Sequence, residues 1–227
     1  MEKRVKTGVI GFDNLIEGGL VEGSVNLLSG GAGTGKTIFG CQFILQGLRE
    51  GEPGVYVTLE EDKEDILNDI AIFGWDKELR EYEKKGMFLM ASEFPSKISD
   101  LQTKVTESIE RVNAKRFVLD SLSIAEMGWA EEKDVTKLRR EIFDMMRALK
   151  RTKTTSLLIV ELRGTKALST LGFEEFLADG VILLHYLEYS ALGTARSLMI
   201  RKMRRTDHAT EIFPFEITKK GIVVKKG

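Results

Sequence analysis

A chain of 227 residues, 42% hydrophobic and 30% charged, with 34 Lys and Arg against 35 Asp and Glu, is long enough for one α/β domain with a substantial core and a mixed, soluble surface. No run approaches the roughly 18 apolar residues of a membrane span, and the opening MEKRVKTG lacks the apolar centre of a signal peptide, so a cytoplasmic protein away from the membrane is expected. Cys41 stands alone, which excludes an intrachain disulfide and a cysteine zinc cluster.

The first clear element is Ser24 to Ser29, SVNLLS, an apolar-rich run bounded by glycines as a buried strand is. It runs into GGAGTGKT at residues 30 to 37, where Gly30, Gly35, Lys36 and Thr37 fit G-x-x-x-x-G-K-[ST]. Such a loop curls its backbone so that N–H groups point at phosphate oxygens. The expected ATP-binding residues are therefore Gly30, Gly31, Ala32, Gly33, Thr34, Gly35, Lys36 and Thr37, with Lys36 facing the outer phosphates and the Thr37 hydroxyl ligating Mg2+. Beyond the loop, Ile38, Cys41, Ile44, Leu45 and Leu48 recur at helical spacing, which completes the strand, loop and helix setting the motif requires and makes Cys41 a buried, inert thiol.

Next come a strand from Gly54 to Leu59, a helix over about Lys63 to Phe73, a strand from Met87 to Ser92 and a helix over about Ile98 to Val112. A strand from Arg116 to Asp120, a long helix over about Asp134 to Lys150 and a strand from Thr155 to Leu162 continue the alternation. Strands and helices in turn predict a mostly parallel sheet flanked by helices on both faces. The last fifty or so residues hold strand-like runs with no helix between them, DGVILLHYLEY, ARSLMIRKMR, TEIFPFEIT and GIVVKK, and predict an antiparallel extension of that sheet.

Hydrolysis would need magnesium held from a second side and a group to position water. Asp120 ends the apolar run FVLD, where a carboxylate projects into the crevice at the carboxyl ends of parallel strands; it either meets Mg2+ or its water shell, or caps a helix. Glu60 and Glu61 follow the second strand. Side by side in extended backbone they would point to opposite sides, and either could polarise water or simply begin the acidic helix EEDKED.

The ordered set TGVIGFDNLIEGGLVEGSVNLLSGGAGTGKT, GLREGEPGVYVTLEED, FGWD, VLDSLS, FLADGVILL and KMRRTDHATEIFPFEIT resembles the KaiC-like branch of the RecA superfamily over nearly the whole chain, as a single-domain protein of archaeal type. The resemblance implies a RecA-like P-loop NTPase core, with Glu60 and Glu61 as the catalytic carboxylates and Asp120 as the magnesium-side aspartate. It also implies a head-to-tail homo-oligomer, commonly a hexameric ring with ATP between neighbours. In such a ring the Lys-x-Arg of one subunit, here Lys202 and Arg204, reaches the phosphates held by the next, and Thr206 and His208 match further nucleotide-side positions. Read without the resemblance, Arg201, Lys202, Arg204 and Arg205 form a solvated basic strand.

Departures from the family pattern are informative. KaiC is a tandem of two such domains, and where its second domain has an adjacent serine and threonine as autophosphorylation sites, the register set by Asp179 puts Glu175 and Phe176 here, so a self-phosphorylation cycle is not expected. Family members usually show Glu-Arg after the strand that ends near Val160; this chain has Glu161, Leu162, Arg163, which leaves the role of Arg163 open. The leading expectation is an ATPase that hydrolyses Mg-ATP at subunit interfaces with a regulatory or signalling role; the sequence names no client. A RecA- or RadA-like recombination or repair ATPase is the alternative, but the segment after Asp120 carries Glu126, Glu131, Glu132 and Asp134 against Lys133, so DNA binding should be weak. A nucleotide-dependent scaffold without turnover is the third reading, and the intact Glu60 and Glu61 argue against it.

Overall fold

The computed structural model describes residues 2–93, 97–123, 135–162, 168–170, 172–190 and 193–225. Residues 124–134 and 163–167, which carry the acidic segment named above and Arg163, lie outside them.

The chain begins with a small antiparallel pair, β1 (Arg4–Val5) and β2 (Leu20–Val21). The core follows as β3 (Val25–Gly30), α1 (Lys36–Arg49), β4 (Gly54–Thr58), α2 (Lys63–Ile70), α3 (Trp75–Lys84), β5 (Phe88–Ser92), α4 (Ile98–Val112) and β6 (Arg116–Asp120). After it come α5 (Val135–Thr152), β7 (Thr155–Glu161), the short α6 (Glu174–Leu177), β8 (Gly180–Ser190), β9 (Gly193–Met203), β10 (Ile212–Thr218) and β11 (Gly221–Val224). A nine-stranded sheet runs in the order β11, β10, β9, β8, β3, β7, β6, β4, β5. The strands from β8 to β5 are parallel; β9, β10 and β11 add antiparallel, as the terminal strand-like runs predict.

Helices cover both faces, so β3, β4 and β6 are buried throughout and read as continuous apolar runs instead of alternating ones. On one face Phe39, Phe43 and Ile44 of α1 belong to a core with Tyr56, Val118 and Ile159. On the other, Leu101 and Val105 of α4 and Ile142 and Met145 of α5 join Val57, Phe117 and Leu158. The helix expected to run to Phe73 stops sooner: a 3-10 turn, Ala71–Phe73, and Gly74 at φ 74° separate α2 from α3. Helix α3 buries only Trp75 and Leu79, too sparse a stripe for periodicity to mark it.

Arg116 locks this packing from inside. Fully buried at the start of β6, it pairs with Glu52 (2.8 Å) and Glu50 (3.1 Å), donates to the carbonyls of Lys6 (2.6 Å) and Phe43 (2.9 Å), and lies over the Phe43 ring. Burial lowers the pKa of its guanidinium, and the Glu52 hydrogen bond opposes that shift. Its side chain needs the gap left by Gly47 on α1, where a Cβ would come within 2.2 Å of Nε. Gly47→Ala should therefore lower stability by about 1–2 kcal/mol, overpacking outweighing the ~1 kcal/mol that alanine gains as a helix former. Urea unfolding measures this; a stabilised variant would show that Arg116 can move aside.

Candidate nucleotide site

Four adjacent parallel strands, β3, β7, β6 and β4, end side by side, and the residues that follow or close them define one crevice. Carboxyl ends of such strands are where open α/β sheets bind ligands. From β3 comes the loop of residues 30 to 37. Gly33 at φ 70° and Gly35 at φ 99° turn it into α1 through conformations side chains disfavour. A Cβ on Gly30 would sit 2.7 Å from Thr34 Oγ1 and 2.8 Å from the Leu184 carbonyl, so the strand exit admits no side chain. Thr34 Oγ1 donates to the Gly31 carbonyl at 2.8 Å, and the Gly33 carbonyl accepts from Tyr186 Oη at 2.7 Å and Arg196 Nε at 3.3 Å. The loop is thus braced from β8 and β9 as well as by its own turn. Ala32 lies exposed at its tip.

Lys36 opens α1 and is 8% exposed. Its ammonium donates to the Gly31 carbonyl at 3.0 Å and lies 3.6 Å from Glu161 at the end of β7. Thr37 donates to Asp120 Oδ2 at 2.8 Å, and Tyr56 Oη donates to the same oxygen at 2.6 Å. Burial pushes the Asp120 carboxyl above its usual range, against the pull of those two hydroxyls and Lys36. A hydroxyl and a carboxylate converging at one point are hard oxygen donors that suit Mg2+. Among the described residues no group of three or more His, Cys, Asp or Glu side chains is arranged to hold a metal, so the remaining ligands would come from phosphate and water, which is how magnesium is commonly held.

The two glutamates part company beyond β4. Thr58 Oγ1 accepts from the Glu61 amide at 3.1 Å and the Glu60 amide at 3.4 Å and donates to the Glu61 carbonyl at 3.0 Å, a tight turn in place of the extended backbone expected. The Glu60 carboxyl accepts a hydrogen bond from Ser121, just past β6. Partial burial pushes it up, with the charges of Glu161 and Asp120, while Ser121 and Lys36 pull it down. Burial and the charges of Asp120, Asp69 and Asp65 raise Glu61. The Glu60 carboxyl is thus anchored at the crevice, and Glu61 lies within the field of Asp120 as well as of Asp69 and Asp65 on α2.

The remaining candidates lie elsewhere. On β9, Lys202 pairs with Val181, whereas the loop end of the sheet is marked by Gly30 beside Leu184. That places Lys202 roughly 10 Å along the strands and two strand spacings, about 10 Å, across from the loop. Its ammonium donates to the carbonyls of Glu175 (2.9 Å) and Ala178 (2.7 Å), and burial lowers its pKa. Arg204 follows the end of β9, half-exposed, with contacts of 3.4 Å to Asp179 and the Phe176 carbonyl. Asp179 also accepts from the Val25 amide at 3.0 Å and Lys150 at 2.8 Å. Thr206 Oγ1 accepts from Arg4 at 2.7 Å, and His208 Nδ1 lies 2.9 Å from the Ala209 carbonyl. These four residues are remote from the loop of their own chain.

Sequence reasoning did not single out Tyr56, Ser121, Tyr186 or Arg196 for the site, and met Glu161 only as part of a departure. Their roles depend on which strands become neighbours, which spacing along the chain does not carry. Glu161 was the most accessible of them, because it ends an apolar strand as Asp120 does.

A glycine loop between a buried strand and a helix, with its threonine against the carboxylate of a nearby strand, defines a P-loop protein, and the strand order with its antiparallel extension is that of a RecA-like core. A family model described as ATPase, KaiC, matches residues 5–227. A UPF0273 protein of Aeropyrum pernix is 40% identical over 99% of this chain and 94% of its own length; the circadian clock protein KaiC3 of Synechocystis is 34% identical over 98% of this chain but 45% of its own. The crystal structure of a KaiC-like protein from the hyperthermophilic archaeon Pyrococcus horikoshii superimposes with a TM-score of 0.88 at 40% identity, covering 100% of both chains. The chain belongs to the KaiC family of ATPases.

Proposed function

We propose that this protein binds Mg-ATP at the 30–37 loop and hydrolyses it between subunits of a head-to-tail ring, most simply a hexamer, in a regulatory or signalling role. The observation that carries the reading is the division of the candidate residues. Lys36, Thr37, Asp120 and Glu60 meet at one crevice, while Lys202 and Arg204 lie far from it on the same chain, which supports a reading in which they serve another copy. In this reading the loop amides and Lys36 hold the phosphates, and Thr37 with Asp120 holds Mg2+. Bound there, magnesium supplies charge neutralisation at the phosphates. Glu60, with Glu61 beside it, orients the attacking water and takes up its proton, and a neighbour's Arg204 and Lys202 stabilise charge on the transferring phosphoryl group. Tyr186 and Arg196 keep the loop preorganised. The test is ATP hydrolysis with and without magnesium, alongside the mass of the assembly by light scattering; a monomer with full activity would contradict the proposal.

A second expectation concerns pH. Glu60 is competent when ionised, and its environment raises its pKa, so hydrolysis should fall on acidification at a pH above the ordinary glutamate value of about 4.3. Ser121→Ala removes the hydrogen bond that favours the ionised carboxylate, and should move this acid limb further up. Single-turnover rates against pH for the two proteins measure the shift; coincident profiles would remove Glu60 from the proton-handling role.

A further inference from the structure

Between the end of β9 at Met203 and the start of β10 at Ile212 the chain leaves the sheet, and this excursion carries Arg204, Thr206 and His208. Its first residue still bonds to the sheet, the Arg204 amide donating to the Asp179 carbonyl at 2.8 Å, and the turn beyond it lies outside the strand pairing. Arg205 adopts φ 59°, a left-handed conformation that a residue with a Cβ resists and that persists where surroundings hold it. What holds it comes from the opposite end of the sequence. Arg4, on β1, donates through one guanidinium nitrogen to Thr206 Oγ1 at 2.7 Å and through the other to the Arg205 carbonyl at 3.1 Å. Glu17 accepts from the nitrogen that bonds the Arg205 carbonyl, at 2.5 Å, and the Gly19 carbonyl from the one that bonds Thr206, at 3.5 Å. Two outer contacts tie the same regions: Glu2 pairs with Arg205 at 3.1 Å, and the Ala209 amide donates to the Leu15 carbonyl at 3.0 Å. On the excursion the Arg4 fork meets Arg205 and Thr206, the residues immediately following Arg204.

We infer that Arg4 is a positioning residue for hydrolysis, setting through Thr206 and the Arg205 carbonyl the turn from which Arg204 is presented to the neighbouring subunit. The inference rests on the proposed action of Arg204 in trans. A planar fork is needed, because one rigid group must satisfy a hydroxyl and a carbonyl on successive residues while facing Glu17. Lysine at this position keeps the charge beside Glu17 but cannot bridge both. The hydrogen-bond partners of Arg4 are Thr206, Arg205, Glu17 and Gly19, outside the 30–37 loop, so its own chain's phosphate loop should not depend on it.

The experiment compares Arg4→Ala, Arg4→Lys and Arg204→Ala with the parent for ATP hydrolysis, ATP affinity by calorimetry, melting temperature and assembly mass. Arg4→Ala should lower kcat by about tenfold or more, the scale at which misplacing a charge-stabilising group is felt, with affinity, melting and assembly near parental values. Arg4→Lys should fall between the two. Co-expressed with Lys36→Ala, the Arg4→Ala chain should regain activity, because its intact loop then receives an undisturbed Arg204. Parental hydrolysis by Arg4→Ala alongside a defective Arg204→Ala overturns the positioning role and leaves the trans reading standing. Parental hydrolysis by Arg204→Ala removes both. A joint loss of melting temperature, affinity or assembly in Arg4→Ala, with no rescue by mixing, makes Arg4 a general fold or interface residue and overturns the inference.

Discussion

Replacing Lys36 by alanine is expected to weaken ATP binding by roughly a hundredfold and with it to remove hydrolysis at ordinary nucleotide concentrations. Truncating one partner of a desolvated charge pair costs about 2–5 kcal/mol, and about 2.7 kcal/mol corresponds to that factor. The local setting makes the effect large. Lys36 faces Glu161 and offsets the charges of Glu60 and Asp120, so its loss leaves a triphosphate to approach those carboxylates without that cation. The loop itself should persist, since the Thr34, Tyr186 and Arg196 contacts that brace it do not involve Lys36. Calorimetric titration with ATP, paired with a thermal melt, separates lost affinity from lost fold. Parental affinity in a folded variant would place the phosphates somewhere other than this loop.

Changing Glu60 and Glu61 together to glutamine should spare ATP binding and lower hydrolysis by about 10²–10⁴-fold, the usual range for a positioned acid or base. The isosteric amides keep the turn that Thr58 organises, because that turn uses the backbone of both residues and neither carboxyl. The single variants should differ. The Glu60 carboxyl is anchored by Ser121 at the crevice and shares the field of Glu161, Asp120 and Lys36 there, so Glu60→Gln should account for most of the double effect. A steady-state assay with saturating Mg-ATP reads this directly. A double variant that turns over at the parental rate would remove both carboxylates from the chemistry.

Much of the architecture was legible because it rests on local signals. Ile98–Val112 and Arg116–Asp120 fall where apolar spacing places them, and the mostly parallel sheet with its antiparallel end follows from the order of runs. The short α6 and the two-residue strands β1 and β2 are below the length at which periodicity speaks, and α3 hides because most of its surface is solvated. At the site, the loop and Asp120 could be read directly, since a motif or a strand end marks each. Glutamate side by side with glutamate could not be resolved by alternation, because the chain turns there instead of continuing as a strand. The contacts of Glu161 with Lys36, Ser121 with Glu60 and Arg4 with Thr206 join residues 125, 61 and 202 positions apart, respectively. Only the folded sheet brings such pairs together.

If two copies of the chain complete each site, as proposed, co-expression of Lys36→Ala with Arg204→Ala should restore activity that neither variant has alone. Alone, Lys36→Ala lacks its phosphate lysine at every site, and Arg204→Ala lacks the cation offered to every neighbour, a loss expected to cost at least about 100-fold by analogy with other trans arginines. In a mixed assembly, an Arg204→Ala chain with its intact Lys36 can lie beside a Lys36→Ala chain with its intact Arg204, and that interface has every component. ATP hydrolysis in the mixture should stand well above the sum of the two variants measured separately. Hydrolysis no greater than that sum, in assemblies confirmed to contain both chains, would contradict it.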